Sequence, residues 1–156
     1  MEVLNRNDEK YVVFYDTMTF NTKFFCDKLK KKYPDVSIVP IKKLLSDDGY
    51  YKLIVTDNSK DIKYHLITYT IMQGEVPKNT LRFLDELKWK DIIKTISSTG
   101  QKNWGDKLFG VAVDEVNKLY PNIKKGLKIE LQGNEKDVDN FYKMIIGDAK
   151  VYKIAL

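Results

Sequence analysis

Apolar runs and amphipathic stretches alternate along this chain at the spacing of strands and helices. Short, nearly continuous apolar runs predict five strands, at residues 10–15, 36–41, 62–70, 91–97 and 126–131. Stretches with apolar residues three and four positions apart predict four helices, at residues 21–32, 76–87, 104–120 and 135–146. This alternation predicts an α/β fold in which helices cover both faces of a parallel sheet.

Five parallel strands joined by crossover helices favour the doubly wound, flavodoxin-like strand order 2-1-3-4-5. A length of 156 residues fits a single domain spanning residues 1–156. Residues 1–9 form a loose polar lead-in, and residues 42–60 are interpreted as an inserted, hairpin-like excursion. The tail at residues 151–156 either packs on the domain or adds a short strand.

Composition narrows the class of protein. Hydrophobic residues make up 43% of the chain and charged residues 31%, as in ordinary globular proteins. The net charge of +5 comes from scattered lysines without a nucleic-acid-binding motif, so no nucleic acid partner is expected. Neither a signal peptide nor a long apolar run is seen, which predicts a cytoplasmic protein with no membrane contact. The chain has one cysteine (Cys26) and one histidine (His65), so an internal disulfide is impossible. Few ligands or catalytic groups are available for a Cys/His metal site or a catalytic triad.

The first strand-to-helix connection, residues 16–22, has the features of an anion site. At this position of an open α/β sheet, a helix N-terminus presents unpaired N–H groups and a favourable dipole. The connection adds three threonine hydroxyls and an asparagine amide, and it contains no lysine or arginine. This composition suits a phosphate held by neutral donors. The simpler interpretation is a plain loop with Asn21 or Thr22 as the helix N-cap.

Two further loops are predicted at the same edge, because they also follow strands of the sheet. The second loop spans residues 70–75 and the third residues 98–106, and both are rich in small, hydroxyl or amide residues. Together the three loops favour a flat aromatic ligand with a phosphate tail, and the indole of Trp104 is available for stacking. Taken singly, the second loop also fits a plain turn broken at Gly74, and Trp104 fits a core residue at the start of a helix.

Five segments together resemble the NrdI family, flavodoxin-like FMN proteins that serve class Ib ribonucleotide reductase. The similarity extends in the same order from about residue 11 to residue 146, and its most specific part is the third loop with the Val-Pro pair. The segments are Phe14-Tyr15-Asp16-Thr17-Met18-Thr19-Phe20-Asn21-Thr22, Ile67-Thr68-Tyr69-Thr70, Gly74-Glu75-Val76-Pro77, Gly100-Gln101-Lys102-Asn103-Trp104-Gly105-Asp106 and Ile129-Glu130-Leu131-Gln132-Gly133.

The resemblance implies that bound, reduced FMN reacts with oxygen. The superoxide or peroxide formed then reaches the reductase small subunit, where it drives radical formation. It also implies a flavin reductant, such as a reductase or ferredoxin, and chemistry that FMN carries without a catalytic side chain or a metal. The residues implied to bind the cofactor are Asp16, Thr17, Met18, Thr19, Phe20, Asn21, Thr22, Thr68, Tyr69, Thr70, Ile71, Met72, Gln73, Gly74, Ser98, Thr99, Gly100, Asn103, Trp104 and Gly105.

Within this set, the resemblance assigns different parts of the cofactor to the three loops. In the first loop, the residues implied to hold the phosphate are Thr17, Met18, Thr19, Asn21 and Thr22. Residues 70–74 flank the flavin ring near N5, and the third loop covers the other side of the ring through Gly100, Asn103, Trp104 and Gly105.

Two departures from the family pattern carry expectations of their own. Phe20 stands where many relatives have glycine, so the phosphate loop must close without glycine's freedom. Ile71, Met72 and Gln73 replace a glycine-rich stretch, and we expect one-electron-reduced flavin to be less stabilised here. The alternatives are a general flavodoxin electron carrier, against which the positive charge argues, and a flavin-free binding scaffold.

Overall fold

The computed structural model describes residues 11–46, 63–71 and 74–147. Within these ranges the strands are β1 Tyr11–Tyr15, β2 Val36–Pro40, β3 Lys63–Tyr69, β4 Ile93–Gly100 and β5 Lys124–Glu130. The helices are α1 Asn21–Lys32, α2 Ile41–Ser46, α3 Lys78–Leu84, α4 Ala112–Leu119 and α5 Glu135–Ile146, with 3-10 turns at Trp89–Asp91 and Lys102–Trp104.

The sheet has the predicted topology. Its strands are parallel and lie in the order β2-β1-β3-β4-β5, so the flavodoxin-like α/β fold with order 2-1-3-4-5 is confirmed. β2 is an edge strand and Pro40 is its last residue, a position where the missing N–H removes little from the ladder.

Alternate residues of the central strands enter two separate cores, one on each face of the sheet. Val12 and Phe14 face α2, α3 and α4, where Phe14 packs against Trp89 with a distance of 4.7 Å between ring centroids. Val13 and Tyr15 face α1 and α5 and pack in the second core with Phe25 and Phe141 of those helices. The period of two along each strand therefore produces a three-layer fold that is apolar on both faces of the sheet.

The segment after β2 differs from the expectation. The sequence predicts a hairpin-like excursion at residues 42–60, but α2 occupies Ile41–Ser46. Ile41 and Leu44 are buried three positions apart, while Lys42 and Lys43 between them are exposed, which is helical spacing. The two apolar residues bury one helical face on the sheet, and this contact outweighs the short length of the helix. The rest of the excursion lies outside the described residues.

The helix predicted at residues 104–120 is wrong over its first half, because α4 begins only at Ala112. Gly105 and Gly110 have φ values of 94° and 60°, and such left-handed backbone interrupts an α-helix. A Cβ atom at Gly110 would lie 2.7 Å from Cγ of Lys128, so the chain passes too close to β5 for any side chain there. Residues 105–111 are consequently a series of turns.

Other helix and strand boundaries differ from the predicted ones by a few residues. β4 runs to Gly100, three residues beyond the predicted end, and α3 is shorter than the predicted helix at 76–87. The predictions for α1 and α5 match the observed bounds, and a capping box between Asn134 and Asp137 begins α5. The lead-in at residues 1–9 and the tail at 151–156 lie outside the described residues. No helix in the described part of the chain is long and apolar enough to cross a membrane.

The single cysteine and the single histidine are both core residues. Cys26 is fully buried in α1. His65 is 3% exposed in β3, and its Nδ1 lies 2.8 Å from Oγ1 of Thr95 in β4. Burial lowers the pKa of His65 to about 3, and the nearby charges of Lys63 and Lys94 act in the same direction.

Burial of neutral His65 should make the protein less stable in mild acid. The unfolded chain binds a proton near pH 6.5 and the folded one only near pH 3, so stability is complete above pH 6.5 and falls below it. Between pH 7 and pH 5 the free energy of unfolding should lose about 2 kcal/mol through this residue. For the variant His65→Asn, urea unfolding at the same two pH values should show a loss of unfolding free energy that is smaller by this amount. An equal loss in wild type and variant would contradict the assignment.

Candidate functional site

Three loops meet at the carboxyl edge of the sheet, as the topology requires. Tyr15 at the end of β1 pairs in register with Ile67, and Tyr69 at the end of β3 pairs with Thr99 of β4. The segments that follow β1, β3 and β4 therefore leave the sheet side by side. This edge includes the point where the strand order reverses around β1 and β3, which is where open α/β sheets bind ligands.

The first loop ends in an uncapped helix N-terminus. Phe20 occupies the N-cap position with φ 68° and ψ −3°, and no side chain accepts a capping hydrogen bond there. The first helical hydrogen bond runs from the N–H of Phe24 to the carbonyl of Phe20, so the N–H groups of residues 21–23 have no helical acceptor. The simpler expectation, Asn21 or Thr22 as the N-cap, is wrong. These N–H groups remain available to an anion.

Phe20 is one of few non-glycine residues in the left-handed region among those described. Its ring is 56% exposed and lies 6.2 Å from that of Phe24, one turn into α1. The loop thus places a phenylalanine at a position whose backbone geometry glycine adopts most readily. Met18 in the same loop is 63% exposed.

A chain of hydroxyl groups joins the loops beneath their surface. The N–H of Ala112 donates to Oγ1 of Thr70 at 3.3 Å, Thr70 lies 3.0 Å from Oγ of Ser98, and Ser98 donates to the carbonyl of Thr99. Because Ser98 uses its proton on Thr99, Thr70 donates to Ser98. Thr22 of α1 and Thr99 share a further hydrogen bond of 2.9 Å. These bonds tie the first and second loops and the start of α4 to the end of β4.

A second hydrogen-bonded chain contains a buried carboxylate. Thr80 of α3 donates to Oδ2 of Asp16 at 3.0 Å, and Thr68 donates to Thr80 at 2.7 Å. Asp16 is only 1% exposed, and burial raises the pKa of its carboxyl group; the Thr80 hydrogen bond and the charge of Lys42 oppose this in part. The N–H of Asp16 donates to the carbonyl of Ile67 at 3.0 Å. Asp16 therefore connects the first loop to α3 and β3.

Two buried polar atoms in the first loop have no hydrogen-bond partner among the residues that the structure describes. They are Oδ1 of Asp16 and Oγ1 of Thr17, neighbours in the chain. Buried polar atoms nearly always have a hydrogen-bond partner. Two such atoms without one in the same loop indicate that a bound ligand would supply their partners.

The second loop turns tightly at its described ends. The N–H of Gly74 donates to the carbonyl of Ile71 at 2.7 Å, and Gly74 has φ 83°. Tyr69, just before the loop, is half-buried, and burial together with the charge of Asp16 raises the pKa of its phenol. Met72 and Gln73, on which the expectation about reduced flavin rests, lie outside the described residues.

The third loop begins later than predicted, since Ser98, Thr99 and Gly100 belong to β4. After β4 the chain forms the 3-10 turn Lys102–Trp104, in which Asn103 is exposed and Trp104 is partly exposed. Gly105, which follows the turn, is also exposed. A Cβ atom at Gly100 would lie 3.1 Å from the N atom of Gly110, so the strand end passes close to the turns before α4.

The structure thus gathers the described members of the predicted set at one edge, but gives them different positions. Thr68, Ser98 and Thr99 are buried beneath the loops, while Met18, Thr19, Phe20 and Asn103 are exposed. Sequence reasoning missed Thr80 and the N–H of Ala112. Thr80 did leave a signal, because it is a polar residue on the helical face that also carries buried Phe83 and Leu84.

Comparisons with known proteins agree on the family and the fold. The family described as NrdI flavodoxin-like matches residues 13–143. The chain is 30% identical over 131 residues to the SPbeta prophage-derived protein NrdI of Bacillus subtilis, covering 84% of this chain and 88% of that protein. It is 31% identical over 129 residues to Protein NrdI of Bacillus licheniformis, with 83% and 82% covered.

Solved structures with a similar fold include flavodoxins. A short-chain flavodoxin associated with a non-canonical PDU bacterial microcompartment superposes with a TM-score of 0.60 at 23% identity, covering 92% of this chain and 99% of that one. Oxidised Flavodoxin 1 from Bacillus cereus gives a TM-score of 0.58 at 21% identity, with 95% and 99% covered. These two likenesses concern the fold alone.

Removal of the backbone strain at Phe20 should change the free energy of unfolding. Phe20→Gly should be more stable than Phe20→Ala by about 1 kcal/mol, because alanine keeps the unfavourable left-handed geometry and glycine does not. Lys28, which is exposed within α1, provides the matched control with the opposite sign: Lys28→Gly should be about 1 kcal/mol less stable than Lys28→Ala. Urea unfolding of the four variants without added ligand makes the comparison. The same order at both positions would show that Phe20 carries no backbone strain.

Proposed function

The chain belongs to the NrdI family of flavodoxin-like proteins, and on this premise we propose that it binds FMN and activates a class Ib ribonucleotide reductase. Membership makes it a flavodoxin-like flavoprotein. The choice of FMN, the reaction with oxygen and the partner are the steps that the proposal adds. The observation that carries it is the uncapped N-terminus of α1 beside the unpartnered hydroxyl of Thr17.

The phosphate of FMN fits the first loop. Free N–H groups at residues 21–23 and the positive end of the α1 dipole attract an anion, and no acidic residue lies in the first turn to compete. Oγ1 of Thr17 has a proton to donate and no acceptor among the described residues. The exposed Thr19 and the partly exposed Asn21 add neutral donors. Because this loop contains no lysine or arginine, its neutral donors and the helix dipole hold the phosphate.

The flavin ring fits between the second and third loops. Thr70 is fixed from both sides by Ala112 and Ser98, so the second loop starts from a rigid position. A Cβ atom at Gly105 would have no neighbour within 4 Å, so a ligand can approach the backbone there, and Trp104 offers a partly exposed aromatic face. We assign ring contacts to these segments and phosphate contacts to residues 17–22.

When bound, FMN supplies electron storage and reactivity towards oxygen that no side chain of the chain provides. The residues of the chain bind the phosphate, orient the ring and limit the access of water to it. The oxidant, superoxide or peroxide, passes to the radical-bearing small subunit, and a reductase or ferredoxin supplies the electrons. The net charge of +5 favours acidic surfaces on these partners.

The first test is an absorbance spectrum with FMN and an anaerobic reductive titration. Flavin bands shifted from those of free FMN, and retained on desalting, support the cofactor assignment. Loss of FMN on desalting with an unshifted spectrum overturns it and leaves only the fold. The partner is tested separately, by following radical formation in a metal-loaded class Ib small subunit with oxygen and a flavin reductant. No radical above the FMN-only control would favour a general electron carrier instead.

The role of Thr17 predicts a selective loss of affinity. Thr17→Val should weaken FMN binding about tenfold or more, since a hydrogen bond to a charged group is lost, and should leave riboflavin binding unchanged. Thr95→Val is the matched control, a buried threonine near the other end of β4. It should alter stability without altering the ratio of FMN to riboflavin affinity. Equal losses for both flavins in Thr17→Val would place this hydroxyl outside the phosphate site.

A further inference from the structure

Asp16 carries a buried acceptor that the proposed function leaves unused. Its side chain is 1% exposed, and Oδ2 accepts a hydrogen bond from Thr80. Oδ1 is buried and has no hydrogen-bond partner in the described part of the chain. A carboxylate oxygen withdrawn from water is costly to leave unpaired, so this atom is expected to be satisfied by a group that binds there.

The position of Asp16 restricts which group that is. Along the chain it immediately precedes Thr17, whose hydroxyl we assign to the phosphate. Through Thr80 and Thr68 it is tied to the end of β3, where the second loop begins. Its N–H is bonded to Ile67 of the same strand. Asp16 therefore lies between the segment assigned to the phosphate and the segment assigned to the ring.

The chemistry of the carboxylate restricts the group further. An ionised carboxylate only accepts hydrogen bonds, so its partner must be a donor. A phosphate oxygen would be repelled by it, since both groups are negative. A neutral hydroxyl is a suitable donor and is smaller than an ammonium or guanidinium group. In a flavin nucleotide, hydroxyl groups occur along the sugar-alcohol chain that joins the ring to the phosphate.

We propose that Oδ1 of Asp16 accepts a hydrogen bond from a hydroxyl of the ligand's sugar-alcohol chain, which in FMN is the ribityl chain. This assignment rests on the proposed function and gives the site a contact that recognises the middle of the ligand. The first loop then separates two tasks between adjacent residues. Thr17 binds the charged end, and Asp16 binds the neutral chain.

The test compares three flavins that differ only in their tails. FMN has the ribityl chain and the phosphate, riboflavin has the chain alone, and lumiflavin has neither. Dissociation constants are measured by quenching of flavin fluorescence for wild type, Asp16→Asn and Asp16→Ala. Asparagine keeps an acceptor for Thr80 and the size of the side chain. Alanine removes both oxygens, so that a rotated amide cannot restore the lost acceptor.

Both variants should bind FMN and riboflavin about ten- to hundredfold more weakly, by the same factor, with lumiflavin affinity unchanged. Tighter FMN binding with unchanged riboflavin binding would mean that Asp16 only repels phosphate, and would overturn the proposal. So would unchanged affinities for all three flavins, the result expected if a buried water satisfies Oδ1. An equal loss for lumiflavin would overturn it as well, since Asp16 would then act by shaping the ring site.

Two controls separate this result from other failures. Asp91→Asn makes the same change of charge at an exposed residue of the 3-10 turn before β4, and it should leave all three affinities unchanged. Thermal unfolding shows whether a variant still folds. If Asp16→Ala does not fold, Asp16→Asn alone decides the question. If wild type binds none of the flavins, the proposed function fails. If wild type binds them and the variants bind equally well, only the role of Asp16 fails.

Discussion

The alignment of three parallel strand ends is the constraint on which this structure depends. Because β1, β3 and β4 are held in register, their carboxyl ends reach one edge and the hydroxyls that follow them become buried together. Buried hydroxyls require partners, and here they find one another: Thr22 with Thr99, and Thr70 with Ser98. The loops are consequently anchored by side chains. The N–H groups of residues 21–23 at the start of α1 have no helical acceptor and can bind an anion.

The charge arrangement at this edge is unusual for a protein with a net charge of +5. The first loop holds no lysine or arginine, and the single charge buried in it is the carboxylate of Asp16. Attraction for an anion therefore comes from the dipole and N–H groups of α1, without a lysine or arginine of the loop itself. Local dipoles act on a phosphate at short range, whereas scattered positive charge acts at longer range.

Backbone strain and unpaired buried polar atoms occur together in the loop where the ligand is expected. Phe20 adopts left-handed backbone at the start of α1, and residues 16 and 17 of the same loop hold buried polar atoms with no partner in the described part of the chain. Both features cost stability in the protein without ligand. The two apolar cores, one centred on Phe14 and Trp89 and the other on Phe25 and Phe141, supply the stability that tolerates these costs. A ligand that pairs the buried atoms would return part of that free energy as affinity.

Sequence by itself determined the strand order, the existence of both long helices α1 and α5, and the identity of the three loops, because periodicity and turn residues are local signals. It could not place the start of α4, since the close approach of Gly110 to Lys128 joins residues distant in the chain. Nor could it reveal α2, whose two buried residues make a helix only against the sheet. The partnership of Asp16 with Thr80 and the left-handed backbone of Phe20 were likewise decided by tertiary structure, because each depends on where separate segments meet.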